Sequence, residues 1–531
     1  MDLSTGIWQL ARECSSIAEA GGVKDVVAGL AKSIAAAGIP STVVLPRYGF
    51  VDLKALGARR LPLTFDLRLP RDNGFSPPAP EPVEVWVCER EGVRILLLDS
   101  PRTRDKRAVY TYRREDEQEN PHKHKGTGHW DVHHLNMIVQ RGALLVARRL
   151  EERPAVLHCH DGHCGLVPAL LAEDPQARAW FKQTRALLTI HNAGRGYHQE
   201  IYGLDFAGQL SGLPQAVLRR AYRGEAVDPL VLGGLYAPVN TVSEGYAREI
   251  MSGDLEELTG GLGSSYRENG VTLLGITNGI DPLPFDPRRP EHTGLKEAFD
   301  PLGDDLEGKR RIRAELLKRL TAGKLPGLET HGRLSGEEAG PLYTFVGRLT
   351  RQKGVDLLIG ALSLLFTRRA GMRVLILGEG EKGIEESLVS LCREVPARGR
   401  LAVLLGYSTE IAKMVYASGD FFLIPSLFEP CGLTDFYAQM MGSLPLVHRV
   451  GGLEKVEHGV TGYSYDEHSM EGLCGAVLAS LADYHDNPGL LTRMRRQAVE
   501  RIYSRYTWDK VLAQNYLPLY TGEAVPPGPG V

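Results

Sequence analysis

The chain has 531 residues, enough for two large domains or three to four smaller ones. Its 62 Lys and Arg against 65 Asp and Glu leave a net charge of −3, so no uniform positive field drives nucleic-acid binding, and a polyanion would need a local pocket. With 43% hydrophobic and 24% charged residues, no apolar run approaching the ~18 residues of a membrane span, and seven thinly spread cysteines, the composition excludes a transmembrane protein and a disulfide framework.

The N-terminus sets Asp2, Arg12 and Glu13 around a short apolar stretch, which lacks the basic start and apolar core of a secretory signal and predicts a cytoplasmic protein. The segment Ala20-Gly21-Gly22-Val23-Lys24-Asp25 then opens an amphipathic helix. Paired glycines there allow backbone N–H groups to approach an oxyanion, or serve as a plain tight turn. Apolar β-rich runs alternate with helical patterns for most of the length: STVVLP, VRILLLD, AVLHCH, ALLTIH and PVNTVS, then LYTFVG, MRVLILG, LAVLLG, DFFLIPS and LPLVHRV. Continuous apolar strands are covered on both faces, so the pattern predicts two doubly wound parallel α/β sheets.

Between the two series, Gly275 to Pro282 and a Pro-rich stretch (Pro284, Pro287, Pro290) predict a hinge. The expected division is an N-terminal Rossmann-like domain over 1–282, a C-terminal one over 283–520 and a disordered Pro/Gly-rich tail over 521–531, the two domains facing each other across a cleft. Residues 101–127, with eight basic and five acidic side chains, read as a solvated loop or part of a substrate rim.

Ligands in such sheets bind beyond the carboxyl ends of strands, so the loops there carry the chemistry. Gly347-Arg348-Leu349-Thr350-Arg351-Gln352-Lys353-Gly354 places three cations between a strand and a helix, which suits a diphosphate or makes a solvated basic loop. Glu429, between Pro425 and Pro430 in PSLFEPCGLT, can position a sugar hydroxyl and face developing positive charge, or can cap the helix that follows. Gly378 to Gly383 satisfies the GxGxxG expression, but its two Glu oppose a pyrophosphate, which leaves a tight strand-to-helix turn as the other reading. The histidines at 122, 124, 129, 133, 134, 158, 160, 163 and 191 invite a metal, yet their spacings match no structural zinc pattern, and no metal or other cofactor is expected.

Taken together these segments resemble the bacterial glycogen synthase and starch synthase family, retaining glucosyltransferases of the two-Rossmann GT-B architecture. The likeness runs through HDGHCGLVPALL, TIHN, NTVSEGYAREI, GITNGID, GRLTRQKGVD, PSLFEPCGLT and VGGLEKV. It implies that Arg348 and Lys353 hold the donor diphosphate, that Glu429 is the acid at the sugar, and that Cys431, Gly432 and Thr434 contact the donor. By the same likeness Tyr407 lodges the base, His163 is the active-site histidine of the first domain, Asp131 stands near the acceptor, and Gly21, Gly22 and Asp25 form the first-domain turn. The chain departs from the family at Glu19, where a phosphate-binding Lys is usual, at Gly162 (usually Trp), at Pro229 and Leu232 (usually Asn and Lys), and at Asp435 (usually Gln). The resemblance implies transfer of glucose from ADP-glucose to the nonreducing end of an α-1,4-glucan. The alternatives are a related transferase with another sugar nucleotide or acceptor, and a non-catalytic glucan-binding scaffold.

Overall fold

A computed structural model describes residues 2–71, 78–303, 305–335, 340–368 and 370–523. The chain divides into two compact units, one formed by 1–279 together with 508–531, the other by 280–507.

The first unit is built on a nine-stranded sheet. Its strands are β1 (Ile7–Leu10), β2 (Ser41–Pro46), β3 (Arg59–Leu69), β4 (Ala79–Arg90), β5 (Val93–Asp99), β6 (Val156–His160) and β7 (Arg185–Ile190). After the short strands β8 (Ile201–Tyr202), β9 (Tyr222–Arg223) and β10 (Ala226–Val227), which form a small separate sheet, come β11 (Val239–Thr241) and β12 (Leu273–Gly275). The large sheet runs β12-β11-β7-β6-β1-β2-β5-β4-β3, parallel through β5 and closed by an antiparallel hairpin. β1, β2 and β6 are buried along their whole length, as continuous apolar runs require. Residues 101–127 include two short helices, Pro101–Arg104 and Arg114–Glu119, and are not only a loop.

The second unit carries a seven-stranded sheet: β13 (Glu329–Leu334), β14 (Leu342–Val346), β15 (Arg373–Gly378), β16 (Arg400–Leu405), β17 (Phe421–Ile424), β18 (Leu444–His448) and β19 (Tyr463–Tyr465). The order is β13-β16-β15-β14-β17-β18-β19, all parallel except the β13 edge. Apolar clusters cover both faces, one around Phe421 and Leu362, the other around Leu375 and Phe422.

The expected end of the second domain at 520 is corrected: it ends at Thr507, and the chain returns to the first unit. The reason is apolar. Trp508, Val511, Leu512, Tyr516 and Tyr520 join Ile7, Leu30 and Val156 in one core cluster. Two glycines make room for the indole, since a methyl on Gly29 would lie 2.1 Å from Trp508 Nε1 and one on Gly279 2.6 Å from its Cδ2. Thr521 ends a helix, Leu517–Thr521, so the expected disordered tail does not start there; its residues 524–531 lie outside the described residues. Among the described residues all seven cysteines are buried, and no helix is long and apolar enough to cross a membrane.

Candidate active site

In the second unit the loops after β14 and β17 are laced together. The Leu427 N–H donates to the Gln352 carbonyl at 3.0 Å, and Gln352 Nε2 reaches the Phe428 carbonyl. Gly354 has φ +66°, and a methyl there would lie 1.9 Å from the Pro425 carbonyl oxygen, so only glycine lets the two loops approach this closely. The consequence is chemical: Lys353 Nζ donates to Glu429 Oε2 at 2.6 Å, and Ser426 Oγ donates to the same oxygen at 3.0 Å. Glu429 is buried, and burial would push its carboxyl up, but Lys353, Ser426 and Lys455 outweigh that and hold it below the usual range. It is an ionised carboxylate near neutral pH. The loop behind it is fastened by two histidines, His448 Nδ1 to the Ser426 carbonyl at 2.8 Å and His468 Nε2 to the Pro425 carbonyl at 3.0 Å.

Arg348, on the same loop as Lys353, is exposed, and its Nη2 lies 3.4 Å from Gln352 Oε1. Tyr407 is 68% exposed after β16. Cys431 and Gly432 are buried beside Glu429, and Thr434 opens the helix Thr434–Met440. Gly378 and Gly380 owe their identity to the Gly347–Leu349 backbone: methyl groups there would lie 1.9 Å and 2.2 Å from the Gly347 and Leu349 carbonyl oxygens. The GxGxxG match is thus a close backbone approach.

In the first unit His163 is buried and stacks on Tyr110, centroids 5.2 Å apart. Burial and the Arg12 cation hold its imidazole well below the ordinary range, so it is neutral. Asp131 lies 3.0 Å from Lys106 Nζ and 3.4 Å from Arg102 Nη1; these cations overcome burial and keep it ionised. The Gly21 amide is already engaged, donating to Glu13 Oε2 at 2.6 Å, and the Ala20 N–H reaches the same oxygen at 3.0 Å. A methyl on Gly22 would meet nothing within 4 Å. Glu19, half exposed, accepts the Ser16 N–H at 2.7 Å and lies 3.9 Å from Lys24 Nζ, which is itself 2.9 Å from Asp25.

Of three departures, that at Gly162 has a steric basis and the other two are set by burial. A methyl on Gly162 would lie 2.2 Å from the His198 carbonyl oxygen, leaving no room for a larger residue, and Pro229 and Leu232 are buried within the helix Pro229–Gly234. Among the described residues the candidate metal group is His198, Glu200 and Asp228 rather than the histidines of 122–134. Both His198 nitrogens already have partners, Asp228 Oδ2 at 2.7 Å and the Ala193 carbonyl at 2.9 Å. The sequence reading missed Glu13 and Tyr110, whose hydroxyl donates to Glu13 Oε1 at 3.0 Å, and Lys106, none of which lies in a motif with a recognisable spacing, and Lys455, which lies in VGGLEKV without a role assigned to it.

Residues 6–264 match the family model described as starch synthase catalytic domain, and residues 340–483 match that of glycosyl transferases group 1. The glycogen synthase of Aeromonas hydrophila subsp. hydrophila is 30% identical over 520 residues, covering 95% of this chain and 96% of its own. The chain belongs to the glycogen and starch synthase family of glycosyltransferases. The glycogen synthase of Anaeromyxobacter sp. (strain Fw109-5) is also 30% identical, with coverage of 97% and 99%. Among solved structures, the catalytic domain of starch synthase IV from Arabidopsis thaliana, bound to ADP and acarbose, superposes with a TM-score of 0.78 at 24% identity, covering 97% of this chain and 99% of that one. Sucrose-phosphate synthase from Thermosynechococcus elongatus follows at 0.55 and 16%, with coverage of 98% and 100%. Both share the fold of this glycosyltransferase.

Proposed function

We propose that this chain is a cytoplasmic retaining glucosyltransferase that moves glucose from ADP-glucose to the nonreducing end of an α-1,4-glucan. The observation that carries the reading is the pair of half-buried Lys353 and buried Glu429, a cation and an ionised carboxylate placed side by side where a glycosyl diphosphate needs both. In the transfer, the bond from the anomeric carbon to the diphosphate oxygen breaks and a bond to the acceptor hydroxyl oxygen forms on the same face. The hydroxyl proton passes to the departing diphosphate. Negative charge builds on the diphosphate and positive charge on the sugar ring.

Arg348 and Lys353 take the first of these charges. A guanidinium forks across two phosphate oxygens while an ammonium acts as a point charge, so the two contribute differently. Glu429, partly relieved of Lys353 once the diphosphate competes for that cation, holds a glucose hydroxyl and faces the cationic ring. Cys431, Gly432 and Thr434 border the sugar, and the exposed ring of Tyr407 offers a stacking face to the base. Neutral His163 exchanges hydrogen bonds with a sugar hydroxyl, Asp131 serves the acceptor side, and the phosphate side falls to Gly22, because the Gly21 amide is held by Glu13.

The names of the glycogen synthase relatives support the acceptor class, and the ADP and acarbose of the Arabidopsis protein support the donor and glucan assignments. Seven cysteines spread thinly along the chain support a reducing compartment. The glycine turn favours a second reading, since Glu13, Glu19 and Asp25 gather there around Lys24, so a non-catalytic glucan-binding protein would bind α-glucan but not nucleotide. Transfer of label from ADP-, UDP- and GDP-glucose to glycogen separates the readings: incorporation from ADP-glucose above the other donors supports the proposal, and no incorporation from any donor by a protein that binds glycogen overturns it.

A further inference from the structure

Beneath the loop that carries Glu429 lies a second buried ion pair, to which the transfer scheme gives no part. Lys455 ends the 3-10 turn Gly451–Lys455. Its side chain is 6% exposed, and its Nζ lies 3.2 Å from Oδ1 of Asp435, which has no exposed surface at all. The same Nζ donates to the carbonyls of Cys431 at 2.5 Å, Gly432 at 2.7 Å and Gly452 at 2.8 Å, and sits 4.6 Å from the centre of the Phe436 ring. Four oxygens and a ring face surround an ammonium with three protons, so no donor remains for a ligand.

The backbone around this cation is packed at its limit. Gly452 donates to the Glu429 carbonyl at 2.9 Å, and a methyl on Gly452 would lie 2.0 Å from the Cys431 carbonyl oxygen. Gly432 has φ +70°, and a methyl there would lie 2.7 Å from Leu453 Cδ2 and 3.3 Å from Lys455 Nζ. In a planar trans peptide the carbonyl and the following N–H point in opposite directions. Drawing the carbonyls of Cys431 and Gly432 onto one ammonium therefore turns the N–H groups of Gly432 and Leu433 the other way.

We propose that Lys455, held by Asp435, is a positioning residue for glucosyl transfer: it fixes the 431–433 peptides so that their N–H groups, beside Glu429, are set for the donor sugar. The inference rests on the proposed transferase function. It also assigns a purpose to Asp435, where the family usually has Gln: it is the counter-ion of a lysine that the loop geometry needs.

Lys455→Met alone would leave Asp435 buried and unpaired, so the test uses the full chain carrying Lys455→Met with Asp435→Asn, which removes both charges. The double variant is expected to melt within a few degrees of wild type and to bind ADP within about threefold by calorimetry, because Arg348 and Lys353 are untouched. Its kcat is expected to fall at least 30-fold with little change in KM. Amide hydrogen exchange at Gly432 and Leu433 is expected to rise at least tenfold. Lys455→Gln in the same Asp435→Asn background, which keeps two donors, should recover part of the rate. A folded double variant with kcat within threefold of wild type, or with unchanged exchange at those amides, overturns the proposal. If the wild-type chain transfers no glucose from any nucleotide donor, the transferase reading fails, and the exchange measurement still decides whether Lys455 orders the loop.

Discussion

Glu13 and Gly21 are joined by a 2.6 Å hydrogen bond from the glycine amide to a carboxylate that is almost wholly buried. The anion-seeking turn near the N-terminus is thus filled by a carboxyl of its own, one that burial raises above the usual range, and Tyr110, which stacks on His163, is tied to the same group. Truncating Glu13 to Ala takes the acceptor from the amides of exposed Ala20 and Gly21 and from the half-buried Tyr110 hydroxyl, so each loss falls at the low end of the about 1–3 kcal/mol that an unsatisfied group costs. Glu13→Ala should lose at least about 2 kcal/mol in urea unfolding and Glu13→Gln clearly less. Equal losses would mean that the hydrogen bonds are not the source of the effect.

Glu429→Gln keeps size and the contact to Ser426 but removes the charge opposite the sugar. A preorganised electrostatic group of this kind contributes about 10²–10³ in rate. Turnover is expected to fall by that factor with ADP affinity retained, and Arg348→Ala and Lys353→Ala should lose comparably. A folded Glu429→Gln protein within a fewfold of wild-type kcat would remove Glu429 from the chemistry.

Glu19 accepts the Ser16 N–H and sits at the edge of ion-pair range of Lys24. Because it is half exposed, Glu19→Lys should change stability by less than about 1 kcal/mol. Reversing the charge beside the glycine turn is expected to tighten sugar-nucleotide binding, read by calorimetry, and to raise transfer. Unchanged or weaker affinity would place Glu19 outside the donor's reach.

Asp435 gives a pH signature. Burial, only partly offset by Lys455, raises its carboxyl from 3.8 to about 6. The folded chain therefore binds this proton more tightly than the unfolded chain, so the group's contribution to stability is complete below pH 4 and is lost as pH rises through 6. Asparagine does not titrate. Asp435→Asn is expected to gain on wild type between pH 4 and pH 6 and to keep a constant difference above pH 7, as measured by urea unfolding across that range. A difference independent of pH would show that Asp435 does not titrate in this window.

The central strands were readable because they are buried on both faces; β14 to β18 are nearly unbroken apolar runs. The hairpin β3–β4 escaped, since its partly exposed edge alternates polar and apolar residues and carries Pro62, Pro80 and Pro82, with a register shift between Arg60 and Thr64. Edge strand β13, reading ETHGRL, is polar for the same reason. The Lys353–Glu429 pair was legible because each residue lies in a motif at a strand end. Glu13 and Lys455 act through backbone groups of their neighbours, which no side-chain spacing reveals, and Trp508 shows its purpose only against Gly29 and Gly279, far away in the chain.

The return of the chain at Trp508 bears on the order of synthesis. The second unit is an insertion in the first, entered at Ile280 and left at Thr507, residues that pair side by side. At about 5–20 residues per second, the ribosome takes roughly 10–50 seconds to make it. Throughout that interval the first unit lacks Trp508, Tyr516 and Tyr520, so Gly29 faces an unfilled indole slot and His158 waits for the Tyr520 hydroxyl that it meets at 2.9 Å. The half of the protein made first is therefore the half completed last.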